Sequence, residues 1–363
     1  MRSLIPPRYY YDPQWFAEEQ ERLFGSTWQL AGFAPDLAGD NDFVTTMVAG
    51  KSVVVQNFGG ELRAFANVCS HRFARIHSEC KGNGMLRCPY HGWIYNKEGI
   101  PYSIPSRPRF EGLTREVVEG LRLRPYAVEQ CGALVFVRGG EEGPTLREYL
   151  ADAWEPVEEM GAVIGDRIGT NEITFQANWK VAVENALESY HVGFVHQNTF
   201  KKLGTTGMDF RFAAQHSAWL APADAATEAQ MRKLASLYRS TYRMDGYFHQ
   251  LVFPNLTAIT LYGTSFGFHH FQPVGPTETR ITSHLFLPRL GEGVKINASM
   301  AEMMNRSTAE FAASVFMEDK GVCEAVQNGL PESTLQGILS EEEERVWRFQ
   351  EAYMAWVGEG VPA

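Results

Sequence analysis

The sequence predicts an α+β protein with two domains, and three observations lead to that class. The chain has 363 residues, which is longer than a single hydrophobic core usually grows. From about residue 28 to 140 it contains short β-rich runs divided by glycines, which is typical of a small antiparallel β-domain. After this β-rich region, alternation of apolar and polar residues predicts strands over 249–288. Apolar residues at helical spacing predict a long helix over 300–327. The segment GGEEGPT at 139–145 predicts the boundary.

The predicted organisation has three parts. Residues 1–27 form an N-terminal helical segment, because Asp12 and Pro13 are suited to the N-cap and the first position of a helix. Residues 28–140 form the β-domain, and residues 146–363 form the mixed domain with the predicted strands and long helix.

The composition argues against several kinds of partner. The net charge is −10, whereas nucleic acids and anionic membranes attract basic surfaces. No apolar run is long enough for a signal peptide or a membrane span, so we expect a cytoplasmic protein with neither nucleic acid nor membrane as partner. The five cysteines are odd in number and unevenly spaced, which does not suit a disulfide framework.

Two pairs of candidate metal ligands lie close together in the predicted β-domain. Cys69 and His71 form a Cys-x-His pair, and after residues 72–87 the residues Cys88 and His91 form a Cys-x-x-His pair. Two thiolates and two imidazoles are the ligands of a Rieske [2Fe-2S] cluster. The alternative is a zinc site, although structural zinc sites usually repeat one spacing.

A second candidate metal site lies in the predicted helix over 179–194. Glu188 and His191 are three residues apart and share a helix face, whereas His196 would be rotated away in an ideal helix. Convergence of the two histidines therefore predicts a local break, which Gly193 could provide. Two histidines with one carboxylate form the facial triad of non-haem Fe(II) oxygenases. The alternative is a pair of helix histidines satisfied by hydrogen bonds alone.

The carboxylate of such a triad must come from elsewhere in the chain. In the late predicted helix, Asp319 lies on a stripe with Val315, Val322 and Val326, so its carboxylate is expected to point inward. A cation would neutralise a buried carboxylate that otherwise is costly. Ligation by the neighbouring Glu318 remains open, as does a surface position for both acidic residues.

An aromatic stripe occurs on the predicted strand over 261–271. Alternate residues share a strand face, and one face of this strand carries candidate substrate-pocket residues, namely Tyr262, Phe266, Phe268 and His270. An aromatic wall binds a cation by cation–π attraction or stacks on an arene. The alternative is that the stripe is ordinary hydrophobic core.

These motifs resemble those of the Rieske non-haem iron oxygenases, the ring-hydroxylating oxygenase alpha subunits. The resemblance covers the segment at 69–91, the run CPYHGWIYNKEG at 88–99, and the pattern Glu184, Asn185, Glu188, Tyr190, His191 and His196. It implies an N-terminal all-β Rieske domain and a C-terminal helix-grip domain, in which helices are held by a curved antiparallel sheet. It further implies that the N-terminal segment packs on the catalytic domain.

The resemblance also implies ligand sets and a reaction. Cys69, His71, Cys88 and His91 would hold the cluster, and the mononuclear Fe(II) would be bound by His191, His196 and an aspartate of the late helix, Asp319. Asn185 and Glu188 are expected to act in catalysis. The oxygenase component would use O2 to hydroxylate or oxidatively N-demethylate a small organic substrate. Its electrons would come from NAD(P)H through a separate flavin and iron–sulfur reductase, directly or through a ferredoxin.

Glu188 departs from the commonest pattern of the family, in which an aspartate bridges a cluster histidine of one subunit and an iron histidine of the next. Glutamate resembles the subgroup that oxidises quaternary ammonium compounds such as carnitine and glycine betaine. The family resemblance implies a homotrimer with electron transfer between subunits. Hydroxylation of an aromatic acid and a Rieske electron carrier without oxygenase activity are the two alternatives.

Overall fold

The computed structural model describes residues 1–203 and 209–358. Residues Met1–Leu23 and Leu150–Ala363 form one unit, and residues Phe24–Tyr149 form the other. The N-terminal segment contains helix α1 (Pro13–Glu18), where the side chain of Asp12 accepts a hydrogen bond from the N–H of Gln14. Within the described residues, no helix has the length and apolarity needed to cross a bilayer.

The smaller unit is built on antiparallel sheets. Its strands are β1 (Gln29–Phe33), β2 (Asp42–Val48), β3 (Lys51–Phe58), β4 (Glu61–Ala66), β5 (Lys81–Asn83), β6 (Ile94–Tyr95), β7 (Pro101–Ser103), β8 (Pro125–Cys131) and β9 (Leu134–Gly139), with helix α2 (Arg115–Gly120) before β8. Seven strands form a sheet in the order β1-β9-β8-β4-β3-β2-β5, and β6 pairs with β7.

Both faces of this sheet are covered, which explains the unbroken apolar run in β3. Val53 and Val55 contribute to one core cluster, whereas Val54 contributes to the cluster that also contains Cys69 and Cys88. Successive residues of a strand point to opposite faces. One short strand therefore supports both the body of the domain and the floor beneath the two cysteines.

The larger unit combines helices with one antiparallel sheet. Its helices are α3 (Leu146–Leu150), which begins before the unit boundary, α4 (Trp154–Val163), α5 (Trp179–Leu187), α6 (Val192–Val195), α7 (Phe200–Leu203), α8 (Ala225–Tyr238), α9 (Ala298–Gly329) and α10 (Glu344–Val357). Its strands are β10 (Ile164–Phe175), β11 (Asp209–Ala213), β12 (His216–Ala221), β13 (Tyr247–Val252), β14 (Leu256–Leu261), β15 (Phe266–Gly275) and β16 (Glu278–Pro288). The sheet order is β10-β16-β15-β14-β13-β12-β11.

The predicted helix over 179–194 is interrupted earlier than Gly193. Helix α5 ends at Leu187, Glu188 is extended (φ −125°, ψ 165°), and His191 immediately precedes α6, which contains Gly193. The side chain of Glu188 accepts a hydrogen bond from the N–H of His191 at 3.1 Å. This bond competes with continuation of the helix, so the break lies between the two candidate site residues.

Candidate metal centres and active-site cavity

The two candidate cluster loops share one hydrogen-bonding pattern. One loop begins at Cys69 and the other at Cys88. In each loop the N–H of the cysteine donates to the carbonyl five residues later, and the carbonyl of the cysteine accepts from the N–H four residues later. The fourth residue after each cysteine has left-handed backbone, Phe73 at φ 61° and Gly92 at φ 71°. The loops are therefore equivalent turns that present their side chains in similar ways.

The side chains in these loops suit a cluster. Cys69 and Cys88 are buried free thiols, and burial raises the pKa of the Cys88 thiol. The imidazole rings of His71 and His91 have centroids 4.7 Å apart. His71 Nδ1 is buried and has no hydrogen-bond partner among the described residues. A nitrogen that ligates a metal is expected to lack such a partner. His71 also stacks on Trp93, which fixes its ring plane.

A tyrosine that the sequence reasoning missed lies against one thiol. The hydroxyl oxygen of buried Tyr95 is 3.0 Å from Cys69 Sγ and accepts the N–H of Ser70 at 3.1 Å. Burial is the main reason why the pKa of Tyr95 is raised, so its hydroxyl stays protonated. The sequence did contain a signal for this role. Tyr95 lies in the run from Cys88 to residue 99, and cluster sulfurs require nearby hydrogen-bond donors.

We expect Tyr95→Phe to lower the reduction potential of the cluster. A hydrogen bond to a sulfur ligand stabilises the more negative, reduced state, and phenylalanine removes that donor while preserving the ring. Redox titration followed by electron paramagnetic resonance measures the change. Tyr102→Phe is the matched control, since Tyr102 is 59% exposed. Equal potentials in Tyr95→Phe and the wild-type protein would contradict this prediction.

In the larger unit, His191, His196 and Asp319 converge, and one ligand atom from each lies within 4.8 Å of the others. The two histidine Nε2 atoms are 3.1 Å apart. Asp319 Oδ1 is 3.1 Å from His196 Nε2 and 3.5 Å from His191 Nε2. Adjacent ligands of an octahedral ion at ~2.1 Å lie roughly 3 Å apart, so these separations suit three facial ligands of one ion.

Two glutamates determine where the histidine protons lie. His191 Nδ1 donates to Glu188, and His196 Nδ1 donates to Glu318 Oε2 at 2.8 Å. A carboxylate only accepts hydrogen bonds, so neutral imidazoles here carry their protons on Nδ1. Both Nε2 lone pairs then face the buried Asp319 Oδ1, which lacks a well-oriented hydrogen bond. When both imidazoles are neutral, three lone pairs converge without a proton between them, and this arrangement fits a cation.

Metal and protons compete for this cluster. Burial lowers the pKa of His191, but the hydrogen bonds to Asp319 and Glu188 outweigh burial and raise the pKa to about 9. Burial alone would raise the pKa of Asp319. Its contacts with His191 and His196 outweigh burial and lower the pKa to about 2. Binding of a metal at the Nε2 atoms therefore displaces protons.

Helix α9 separates the roles of its two adjacent acidic residues. Asp319 points toward both Nε2 atoms, whereas Glu318 binds His196 Nδ1 and accepts the Thr199 hydroxyl at 2.6 Å. The nearby side chain of Asn185 helps to lower the pKa of Asp319. Asp319 thus has the position expected of a ligand, and Glu318 has the position expected of a residue that orients one.

The stripe predicted around Asp319 is partly wrong. Val326 is 48% exposed, and the buried positions of α9 are Asp319, Cys323 and Gln327. These buried residues are spaced by four along the helix and so share one face. Polar Gln327 is included because its side chain accepts the N–H of Asn178 at 2.8 Å, an interaction that apolar periodicity does not reveal.

The candidate triad opens into a cavity of about 140 Å³. Asn185, Glu188 and the three triad residues line it. The remaining wall is mainly aromatic, with the rings of Phe200, Trp219, Tyr247, Phe266, Phe271, Phe311 and Phe316. An apolar wall with a few convergent polar groups is the usual form of a small-molecule site.

The aromatic wall predicted on β15 is correct for Phe266 and wrong for the two predicted residues that follow it. Phe266, the first residue of the strand, lines the cavity. Beyond it Gly267 and His269 line the cavity, whereas Phe268 and His270 do not. The first six residues of β15, starting at Phe266, are all buried. Because both faces of this strand are covered, no polar face marks which set points to the cavity.

Tyr262 is also absent from the described cavity lining. It lies before β15 in a turn, with φ at 52°, and its hydroxyl accepts the N–H of Ala223 at 3.2 Å. The turn breaks the period-two relation on which its assignment depended. Tyr262 therefore supports the chain outside the cavity.

Two family models match the chain. The Rieske [2Fe-2S] domain matches residues 27–122, and the ring hydroxylating alpha subunit (catalytic domain) matches residues 151–359, more than half of the chain. The chain belongs to the ring-hydroxylating alpha subunits. The family predicted from the motifs is therefore confirmed, together with the α+β class.

Relatives and solved structures agree with this membership. Choline monooxygenase of Beta vulgaris is 25% identical over 360 residues, which cover 90% of this chain and 71% of that protein. The carnitine monooxygenase oxygenase subunit of Acinetobacter pittii is 31% identical over 196 residues, covering 53% and 52%. The fold resembles that of the quaternary ammonium Rieske monooxygenase CntA with L-carnitine, with TM-score 0.79, 20% identity, and coverage of 97% and 95%.

Membership determines the class of chemistry. The protein is an oxidoreductase, the oxygenase component of a Rieske system with a [2Fe-2S] cluster, a mononuclear iron and O2 as co-substrate. NAD(P)H, through a reductase, is the typical electron source of this family. The zinc-site and electron-carrier alternatives therefore do not apply.

Proposed function

We propose that this ring-hydroxylating alpha subunit hydroxylates or oxidatively N-demethylates a small cationic methylated amine. Cys69, His71, Cys88 and His91 would hold the cluster, and His191, His196 and Asp319 would hold the iron. The observation that carries the substrate assignment is the cavity itself, where aromatic rings and carboxylates meet at the triad. Choline, carnitine and glycine betaine monooxygenases among the relatives support it.

The charges beside the triad favour a cation. Glu188, Glu318 and Asp319 place three carboxylates around the proposed iron position, and Fe(II) compensates only two negative charges. Among the described residues that line the cavity, none is lysine or arginine. An ammonium group near the triad therefore gains electrostatic energy, whereas a carboxylate there meets like charge in a poorly solvated space.

The size and walls of the cavity suit the same class. An engineered cavity of about 150 Å³ is known to bind benzene, so a cavity of about 140 Å³ accepts a substrate with only a few heavy atoms. The faces of Trp, Tyr and Phe attract quaternary ammonium groups. Trp219 and Tyr247 both line this cavity and supply such faces.

The protein groups have separate tasks in this scheme. Bound iron would supply oxygen activation, with electrons delivered by the cluster. Glu188 and Glu318 keep protons on Nδ1 of the two histidines, which leaves both Nε2 atoms available to metal. Asn185 orients the Asp319 carboxylate, and the aromatic wall excludes water from the substrate.

We further propose a cytoplasmic homotrimer in which each Rieske domain serves the catalytic domain of a neighbouring copy. Exposed rings support this contact at both sites: Phe73 (79% exposed) and Tyr90 (54%) flank the cluster ligands, and Tyr190 (55%) and Phe194 (78%) flank His191. Large exposed apolar side chains beside a functional site are typical of interfaces. A reductase, directly or through a ferredoxin, would deliver electrons to the cluster.

The substrate assignment is tested by product analysis with a purified reductase. We expect a small trimethylammonium substrate to be oxidised at least about tenfold more efficiently than its neutral isostere, in which carbon replaces nitrogen, because only the cation gains cation–π and carboxylate attraction. Trp219→Leu should reduce this preference. Coupled oxidation of an aromatic acid, with the amines inert, would replace the proposal by ring hydroxylation.

A further inference from the structure

A buried arginine lies behind the cavity wall. Arg345 of α10 is fully buried, and its guanidinium donates to Ser217 Oγ at 3.1 Å, Ser217 O at 3.3 Å, Leu187 O at 3.4 Å and His249 Nδ1 at 3.1 Å. All of these acceptors are neutral. Among the described residues, no carboxylate forms an ion pair with Arg345.

This contact determines the tautomer of His249. A guanidinium has no acceptor, so Nδ1 of His249 must accept the hydrogen bond and cannot carry a proton. Burial first, and the charge of Arg345 second, lower the pKa of His249 well below its usual value. The neutral ring therefore carries its single proton on Nε2, which is left as a donor.

His249 faces the substrate cavity. It lies on β13 between Trp219 and Ile259 of the adjacent strands, and all three residues line the cavity. Trp219 and Ile259 present apolar surface, so the imidazole N–H is the polar group between these two neighbours. Covering it with a purely apolar ligand leaves a donor without a partner, which lowers affinity.

We propose that the Nε2–H of His249 binds an oxygen acceptor of the substrate, with Arg345 fixing the donor tautomer. The proposal rests on the proposed function for the location of the substrate, and it narrows the substrate to a methylated amine that also bears a hydroxyl or carboxylate oxygen. The positive charge of Arg345 behind the ring strengthens the donor, because it favours negative charge on the ligand.

Two substitutions separate the two ring nitrogens. His249→Asn keeps an acceptor near the Nδ1 position, facing Arg345, but removes the donor at the ε position. His249→Gln places an amide N–H₂ near the ε position and so retains a donor. Thermal unfolding of the holoenzymes checks that both variants remain folded.

Binding of three trimethylammonium ligands is then measured by anaerobic calorimetry: one with a hydroxyl, one with a carboxylate and one with a plain alkyl chain. His249→Asn should weaken binding of the hydroxyl ligand about tenfold and of the carboxylate ligand by ten- to a hundredfold, since bonds to charged acceptors are stronger. The alkyl ligand should be unaffected or bind more tightly. His249→Gln should retain most of the oxygen-dependent affinity.

Two results would overturn the proposal: equal weakening of all three ligands in His249→Asn, which indicates packing alone, or no weakening of any. If the wild-type enzyme binds aromatic acids instead of amines, the proposed function fails. The role of His249 is then decided by the same variants with benzoate and toluene, of which only benzoate offers an oxygen.

Discussion

Asp319→Ala should lose the mononuclear iron and all oxygenation while the absorption spectrum of the Rieske cluster stays unchanged. The aspartate supplies the only negative charge among the three proposed ligands, and its Oδ1 lies within 3.5 Å of both Nε2 atoms. Without it two neutral imidazoles remain, which bind Fe(II) weakly. Iron content of the purified variant, product formation and visible absorption measure the three parts of this result.

The neighbouring glutamate provides the sharpest comparison. Glu318→Gln should retain iron but bind it about ten- to a hundredfold more weakly, as is typical when a partner of a metal-ligating histidine is changed. Its amide can donate to His196 Nδ1 and so favour a proton on Nε2, the atom that should face the metal. Glu302, an exposed residue of the same helix, serves as control in Glu302→Ala. Full iron loss in Glu318→Gln with iron retained in Asp319→Ala would exchange the two roles.

Mixed assemblies of two inactive variants should recover about a quarter of wild-type activity. One variant lacks the cluster through Cys69→Ala, and the other lacks the iron through His191→Ala. In a head-to-tail ring formed from equal amounts, about one interface in four joins an intact Rieske domain to an intact iron site of its neighbour. Transfer within one chain predicts no recovery, because each chain has one defective centre.

Glu188 is the residue proposed to connect the centres across that interface. Its carboxylate already accepts from His191 Nδ1 and from the His191 N–H, and each oxygen has a further lone pair for a cluster histidine of the neighbour. Glu188→Gln should leave both metals bound and slow turnover sharply, because a neutral amide replaces an acceptor of two imidazole protons. Single-turnover oxidation of the reduced cluster measures the step directly. Normal oxidation rates in this variant would remove the bridging role.

Much of the chemistry was predictable because it depends on local spacing. Cys69, His71, Cys88 and His91, the proposed cluster ligands, predicted a Rieske cluster by residue type and separation along the chain. The α+β class followed from strand and helix periodicity. Convergence of His191 and His196 required a break in the helix, and that requirement was correct although the break is formed by Glu188 instead of Gly193.

Tertiary structure decided which of two neighbouring side chains faces a site. Glu318 and Asp319 differ by about 100° around a helix axis, and the packing of α9 against the 196–199 segment selects Asp319 for the Nε2 side. On β15 both faces are buried, so composition carries no sign of which alternate set meets the cavity. The donor at His249 depends on Arg345, 96 residues away. Sequence specifies the ligands that a local turn brings together, whereas orientation and tautomer arise from contacts between distant elements, because only these contacts determine where each lone pair and proton points.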